Sequence, residues 1–179
     1  MKKQGKNGVH ASYVPSFRGL QPASEGASLA KRANRKQDSR HEVMLRRELT
    51  RLGLRYRKYV AALPGNPDLT FSKARVVVFC DGDFWHGRNW ARLRRNLSRR
   101  HNAAYWIAKI ARNRERDRRI SRELTRAGWK VLRIWETDIL RDPVGVAYSI
   151  QALVRQRLLE VDSCQGSERG TAARNRPLA

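Results

Sequence analysis

Acidic side chains and one histidine stand at the ends of two short apolar segments of this chain. Asp68 follows the turn-rich run 64–67, and Asp81 follows the apolar run 75–80, with His86 five residues further on. Carboxylates are ligands that hard cations such as Mg²⁺ prefer. An imidazole beside a bound cation and a phosphate can orient or deprotonate water, or protonate a leaving oxygen. These residue types therefore predict metal-assisted hydrolysis of a phosphodiester.

The predicted hairpin is what brings the two aspartates together. Residues 68–71 and 75–80 have the pattern of short strands joined by 72–74, so antiparallel pairing places the start of the first beside the end of the second. Taken singly, each aspartate is more simply explained as a turn residue, because Asp is common in turns. Taken together with Glu42 and the basic surroundings, they favour a shared metal site.

The overall charge indicates a polyanionic partner. The chain has 179 residues with 39 Lys and Arg against 16 Asp and Glu, a formal charge of +23, and a pI of about 11.4. Such a balance is typical of nucleic-acid-binding proteins, although it does not separate an enzyme from a binder. Only two cysteines occur, which disfavours a disulfide scaffold and a cysteine-rich zinc module. No apolar segment predicts a membrane span or an export signal, and we expect a cytoplasmic protein.

Hydrophobic periodicity predicts a small α/β domain, a mixed β-sheet flanked by helices on both faces. A capping-box spacing from Ser39 to Glu42 begins the first helix, predicted at 40–52, and Pro143 stands near the start of the last. The other predicted elements are a strand at 54–60, the hairpin, an irregular segment at 88–100, a helix at 103–127 and a strand at 129–135. The predicted organisation is a flexible basic arm at 1–35, a domain at 36–160 and a disordered tail at 161–179.

Several motifs in a fixed order resemble one known family. These are Glu42 to Asp68, the run Val76 to Gly87 with its Asp81-Gly82-Asp83-Phe84-Trp85-His86, then 106–119 with Asn113 and Asp117, and 128–136. Together they resemble the very short patch repair (Vsr) DNA mismatch endonucleases over roughly residues 30–140. The resemblance implies a restriction-endonuclease-like fold, Mg²⁺-dependent nicking of one strand at a mismatch, and double-stranded DNA and mismatch-repair proteins as partners.

The resemblance also implies roles for individual residues. Asp68 would be the principal magnesium ligand, with the backbone carbonyl of Cys80 beside it and Asp81 as a further carboxylate. His86 would be the catalytic imidazole, assisted by Glu42 from the first helix. The implied DNA contacts are the inserted aromatics Phe84 and Trp85, together with Arg88.

Two departures from the family pattern stand out. Family members usually have a histidine where Asp81 stands, an exchange that favours metal binding and removes a proton-transfer group. The positions of the family's structural zinc ligands hold Asp83, Arg88, Trp90 and Thr137. No soft zinc ligand remains at these positions, so we expect a zinc-free variant. The alternatives are a related restriction-like or structure-selective nuclease, and a non-catalytic basic DNA-binding protein of the same fold.

Overall fold

A four-stranded mixed sheet forms the centre of the molecule. The computed structural model describes residues 37–174, so the predicted arm 1–35 lies outside the described residues. The strands stand in the order β1 (Arg57–Lys58), β2 (Leu69–Phe71), β3 (Val76–Asp81) and β4 (Lys130–Trp135). The first three pair antiparallel, whereas β3 and β4 pair parallel. The predicted mixed sheet with flanking helices is confirmed.

Five helices surround this sheet in the described part of the chain. They are α1 (Arg40–Arg51), α2 (Trp90–Leu97), α3 (Ala103–Arg126), α4 (Glu136–Arg141) and α5 (Pro143–Arg174). The predicted helices at 40–52 and 103–127 and the helix beginning at Pro143 are confirmed. Helix α5 continues to Arg174, into the segment 161–179 for which the sequence predicted a tail, and the domain boundaries stay a prediction. None of the helices within residues 37–174 has the length and apolarity that crossing a membrane requires.

Alternation along β3 separates the two halves of the core. Val76, Val78 and Cys80 pack into the cluster formed with α1, α4 and α5, whereas Val77 and Phe79 pack against Leu124 of α3. All three valines are fully buried, and each stabilises the fold by about 1.5–3 kcal/mol relative to an exposed side chain. Because side chains alternate along a strand, Asp81 belongs to the Val77 and Phe79 series and emerges on the α3 side.

The capping box predicted at Ser39 is present and fixes Glu42. Ser39 has an extended backbone, with φ −61° and ψ 158°, and its hydroxyl accepts a hydrogen bond from the Glu42 N–H at the start of α1. The same hydroxyl donates to Glu42 Oε1 at 2.7 Å. The backbone N–H of Asp38 donates to Glu42 Oε2 at 3.1 Å. The carboxylate of Glu42 is therefore held at the N-terminal end of the helix.

Two local predictions are wrong. The strand predicted at 54–60 is reduced to Arg57–Lys58, because Tyr59 adopts a left-handed φ of 48° that ends the pairing. The segment predicted as irregular at 88–100 contains α2, whose Leu97 is buried. Its many arginines obscured the apolar spacing of Trp90, Leu93 and Leu97, which is helical.

Candidate active site

The turn 64–67 delivers Asp68 to the end of β3. Gly65 and Asn66 both have positive φ values, 78° and 49°, which is the left-handed region that Gly and Asn tolerate best. A Cβ on Gly65 would lie 2.8 Å from the side chain of Ile120 in α3. The turn therefore packs closely against α3 and directs the chain into β2 through Asp68.

The antiparallel register then joins Asp68 to β3 directly. Leu69 pairs with Val78, so Asp68 reaches the last residues of β3, and the backbone N–H of Cys80 donates to Asp68 Oδ2 at 2.7 Å. One cavity is lined by all four predicted acid and base residues, namely Asp68, Asp81, His86 and Glu42, and by Cys80. The structure thus brings together the residues that the sequence placed at one rim of the sheet.

Asp68 lies in an environment that disfavours its charge. Burial raises the pKa of its carboxyl to about 6; the Cys80 N–H and His86 act against this, while the nearby carboxylates Glu42 and Asp81 add to it. Negative groups that repel one another at the floor of a cavity are stabilised by a cation placed among them. This is an electrostatic reason for a metal ion to bind beside Asp68.

Hard oxygen donors fit magnesium better than a softer ion at this position. Within residues 37–174, no three His, Cys, Asp or Glu side chains are grouped so that they alone hold a metal. Magnesium commonly takes only one or two carboxylates and completes its shell with water and phosphate oxygens. Asp68 and the Cys80 carbonyl suit such a shared shell. His41, which the sequence did not single out, is buried with Nε2 3.4 Å from that carbonyl oxygen.

Glu42 is held on the same cavity by a second set of hydrogen bonds. The hydroxyl of Tyr59 donates to Glu42 Oε2 at 2.6 Å, and Arg46 Nη1 lies 3.6 Å from the same oxygen. Burial and the hydrogen bond to Glu42 raise the pKa of Tyr59 to about 12, so this phenol stays a proton donor. The left-handed backbone at Tyr59 is what brings its ring back toward α1.

His86 is oriented by a carboxylate of α3. Its Nδ1 lies 2.7 Å from Asp117 Oδ2 and 3.5 Å from Asp81 Oδ1. Burial acts to raise the pKa of Asp117, but the hydrogen bond with His86 and the charge of Arg133 outweigh it and leave that pKa below its usual range. With Nδ1 engaged by an ionised Asp117, Nε2 is the nitrogen left to exchange a proton. The sequence did not indicate this pairing, because it marked Asp117 only as a motif residue of the predicted helix and gave it no role in the site.

Arg133 is a further residue of the site that the sequence analysis missed. It stands in the middle of β4, and its Nε and Nη2 donate to the two oxygens of Asp81 at 2.7 and 2.6 Å. Its guanidinium lies over the ring of Phe79, 4.7 Å from the centroid. The only available signal was a charged residue between the apolar Leu132 and Ile134, a pattern that ordinarily indicates an exposed strand position.

Comparison with known proteins shows which family the chain belongs to. Residues 23–92 match the family model of the DNA mismatch endonuclease Vsr. The Type II nicking enzyme V.NmeDIP of Neisseria meningitidis serogroup C is 37% identical over 125 residues, which is 70% of this chain and 83% of that relative. The chain belongs to the Vsr DNA mismatch endonuclease family.

Two further relatives support the same assignment. The Type II nicking enzyme V.NaeI of Lentzea aerocolonigenes is 40% identical over 134 residues, 69% of this chain and 75% of that relative. The DNA mismatch endonuclease Vsr of Escherichia coli K12 is 38% identical over 105 residues, 59% of this chain and 65% of that relative. As a Vsr family member the protein is a DNA endonuclease, so the non-catalytic alternative is not favoured.

The aromatic residues of this Vsr-type loop form a cluster at the mouth of the cavity. Phe84 and Trp85 are half-buried, and their rings lie 5.6 and 5.8 Å from that of Trp106. Asn113 donates to the backbone carbonyl of Trp85 at 2.9 Å. Both rings line the cavity that contains Asp68. Their contact with α3 keeps them beside the acidic residues in the DNA-free protein.

Hydrogen bonds and ion pairs connect three of the four positions where the resemblance implies zinc ligands, namely Asp83, Arg88 and Thr137. The Thr137 hydroxyl donates to Asp83, and Arg88 Nη1 lies 3.6 Å from Asp83 Oδ1. Arg88 Nη2 also donates to Asp138 at 2.9 Å, and its guanidinium lies 5.9 Å from the centroid of Trp135. This network, Asp83, Arg88, Thr137 and Asp138, joins the aromatic loop to the start of α4 through polar side chains.

We expect this network to stabilise the fold without a bound metal ion. Replacing Thr137 by Val removes one hydroxyl donor, worth about 1 kcal/mol, and should lower the melting temperature by roughly 2–4 °C. A zinc chelator should leave the melting temperature of the unmodified protein unchanged, and mass spectrometry of the purified metal content should find far less than one zinc per chain. Stoichiometric zinc, or a chelator-induced fall in melting temperature, would contradict this expectation.

Proposed function

We propose that the protein nicks one strand of duplex DNA at or near a mismatch, using Mg²⁺ and a water molecule to hydrolyse the phosphodiester. The observation that carries the proposal is the position of Asp68, partly buried near other carboxylates in the same cavity as the His86 and Asp117 pair. Metal-binding carboxylates beside an oriented imidazole are suited to phosphodiester hydrolysis. Family membership supports the same substrate class.

Asp68 and the carbonyl of Cys80 are the groups that we propose to hold the magnesium ion. When bound, such an ion neutralises charge on the phosphate oxygens and lowers the pKa of its water. The hydrogen bond from the Cys80 N–H fixes Asp68 Oδ2 and leaves Oδ1 available to a ligand. The resemblance predicts Asp81 as a further ligand, but both of its oxygens accept hydrogen bonds from Arg133, an arrangement that competes with metal binding.

Two residues of the chain are proposed to move or hold protons. His86 Nδ1 is hydrogen-bonded to Asp117, which leaves Nε2 for proton transfer. Nε2 can accept a proton from water or donate one to the leaving oxygen. Glu42 is held by Ser39 and Tyr59 on the same cavity, where its carboxylate can orient the attacking water. Hydrolysis then needs no covalent intermediate with the protein.

Charge and aromatic surface are proposed to bind the DNA. The formal charge of +23 favours duplex DNA over neutral substrates, and binding should weaken steeply with salt. Phe84 and Trp85 are proposed to insert at a mispair, where base pairs cost least to unstack. Arg88 as a DNA contact stays a prediction, because its guanidinium is engaged with Asp83 and Asp138. Mismatch-repair proteins as partners and a cytosolic location also stay predictions.

Nicking assays on matched substrates test this proposal. Supercoiled plasmid and short duplexes that differ only by one T·G mispair are incubated with Mg²⁺ or with EDTA. We expect nicking of one strand, and only when the metal is present. The mispaired duplex should be nicked at least about tenfold faster than the matched one, since one incorrect base pair in a recognition site typically costs about 1–3 kcal/mol of binding.

The outcomes separate the candidates. Equal metal-dependent cleavage of matched and mismatched duplexes would favour the restriction-like or structure-selective alternative. Nicking that persists in excess EDTA would contradict the role of magnesium. Binding to every duplex without cleavage of any would contradict the proposed activity altogether.

A further inference from the structure

Arg133 forms a bidentate ion pair with Asp81 in the interior of the site. Arg133 Nε donates to Oδ2 at 2.7 Å and Nη2 donates to Oδ1 at 2.6 Å, so each carboxylate oxygen has its own N–H donor. The side chain of Asp81 is 5% exposed. A planar guanidinium matches a carboxylate in this geometry, and a lysine ammonium does not. The pair is therefore a compact neutral unit at the end of β3.

The parallel register of β3 and β4 produces this contact. Phe79 pairs with Arg133 and Asp81 pairs with Trp135, so Arg133 stands two residues back from the partner of Asp81. Because both Phe79 and Asp81 face α3, an arginine in this register lies across the Phe79 ring and reaches forward to Asp81. The strand pairing, and not the local sequence, places the guanidinium in the cavity.

The same guanidinium reaches the second carboxylate that flanks His86. Arg133 Nη2 lies 3.2 Å from Asp117 Oδ1, while His86 Nδ1 lies 2.7 Å from Asp117 Oδ2 and 3.5 Å from Asp81 Oδ1. One cation thus connects both acids between which the imidazole stands. Without it, two buried carboxylates would repel each other and leave His86 with competing partners.

We propose that Arg133 is a positioning residue of the nuclease. Its guanidinium holds Asp81 away from the metal, and it fixes His86 both through the two carboxylates on either side of the imidazole and through Nη2, which lies 3.4 Å from His86 Nδ1. This inference rests on the proposed function, since it assigns a role in that same site. A metal ion and the guanidinium would compete for the same Asp81 oxygens. The bound arginine therefore leaves Asp68 as the principal acidic ligand and gives Asp81 the role of anchor for Arg133.

Replacement of Arg133 by Met tests the positioning role. We expect kcat for nicking to fall by about 10- to 100-fold, as is usual when a group that orients a site residue is removed, while KM changes less than about threefold. Arg133→Lys should recover only part of the loss, because an ammonium cannot bind both Asp81 oxygens in the same way. In R133M the imidazole nitrogen signals of His86, measured by NMR without DNA or metal, should shift and broaden.

Calorimetric titration with Mg²⁺ alone tests the role of Asp81. R133M frees the Asp81 carboxylate and should bind magnesium several-fold more tightly than the unmodified protein. In the double variant D81N/R133M, two uncharged side chains replace an ion pair whose charges cancel, so the net charge of the site is unchanged. Its affinity for magnesium should therefore stay within about threefold of that of the unmodified protein. Should R133M fail to fold with an unpaired buried Asp81, this double variant still reports both the metal affinity and the His86 signals.

Arg51→Met is the matched control, because Arg51 forms a surface ion pair with Glu48 and its side chain is 74% exposed. It should change none of these quantities. The proposal is overturned if D81N/R133M binds magnesium more than about tenfold more weakly, which would make Asp81 a ligand, or if R133M leaves kcat and the His86 signals unchanged. Absence of nicking by the unmodified protein would instead contradict the proposed function, while the NMR measurement would still decide on Arg133.

Discussion

Replacing Asp68 by Asn should abolish nicking and, at the same time, make the metal-free protein more stable at neutral pH. Loss of the principal metal ligand removes several kcal/mol of transition-state stabilisation, which is about a thousandfold or more in rate. The asparagine keeps the shape of the side chain, and its carbonyl oxygen can still accept the hydrogen bond from the Cys80 N–H. The gain in stability comes from the charge that is no longer buried.

The pH dependence of that gain follows from the pKa of Asp68. This pKa is about 6 in the folded protein, against an ordinary value of 3.8. Below the ordinary value the carboxyl is protonated in both states, and its burial costs little. As the pH rises from there through 6, the unfolded chain ionises first, so the folded state loses on the order of 2–3 kcal/mol. The D68N amide carries no charge at any pH, so the difference in stability between the two proteins should begin to appear above about pH 4 and reach its full size above about pH 6.

Thermal melts of the two proteins in EDTA measure this difference. The melting temperature of D68N should exceed that of the unmodified protein by several degrees at about pH 7.5, and the two should converge near about pH 4. Asp142→Asn is the matched control, because Asp142 accepts from the Gly145 N–H at the start of α5 and Asn is an equally good helix cap. D142N should nick DNA normally. Retained nicking by D68N, or a lower melting temperature at neutral pH, would contradict the assigned role.

The sequence predicted the part of the site that local pattern determines. The apolar run before Cys80 has the composition of a strand buried on both faces, and the turn 64–67 marks where the preceding strand begins. A hairpin between them necessarily places Asp68 near the end of β3, in agreement with the 2.7 Å hydrogen bond to Cys80. The capping-box spacing likewise located Glu42 at the N-terminal end of α1.

Contacts between residues far apart in the sequence could not be predicted from local sequence patterns. His86 meets Asp117 across 31 residues and Asp81 meets Arg133 across 52, and both depend on how α3 and β4 pack against β3. An arginine between two apolar strand residues indicates an exposed side chain unless the register of the neighbouring strand is known. Helix α4 was missed because its six residues, Glu136–Arg141, are too few for a periodic pattern.

The second large effect concerns His86 and depends on its contact with Asp117. His86→Ala should lower kcat by about 10²- to 10⁴-fold, the usual contribution of a general acid or base, with little change in KM. Asp117→Asn should lower kcat by about 10- to 100-fold, because an amide no longer holds Nδ1 as a charged acceptor does. If Asp117 acts only through His86, the double variant H86A/D117N should be no slower than H86A alone.

Single-turnover nicking rates on the mispaired duplex, at saturating Mg²⁺, give the four values that this cycle needs. His101→Ala is the control, since His101 is exposed and does not line the cavity; it should nick at the unmodified rate. Additive losses in the double variant would mean that Asp117 also acts independently of His86, through its contact with Arg133 or on the DNA or the metal. A His86→Ala variant with normal kcat would remove the imidazole from the reaction and leave proton transfer to Glu42 or to solvent.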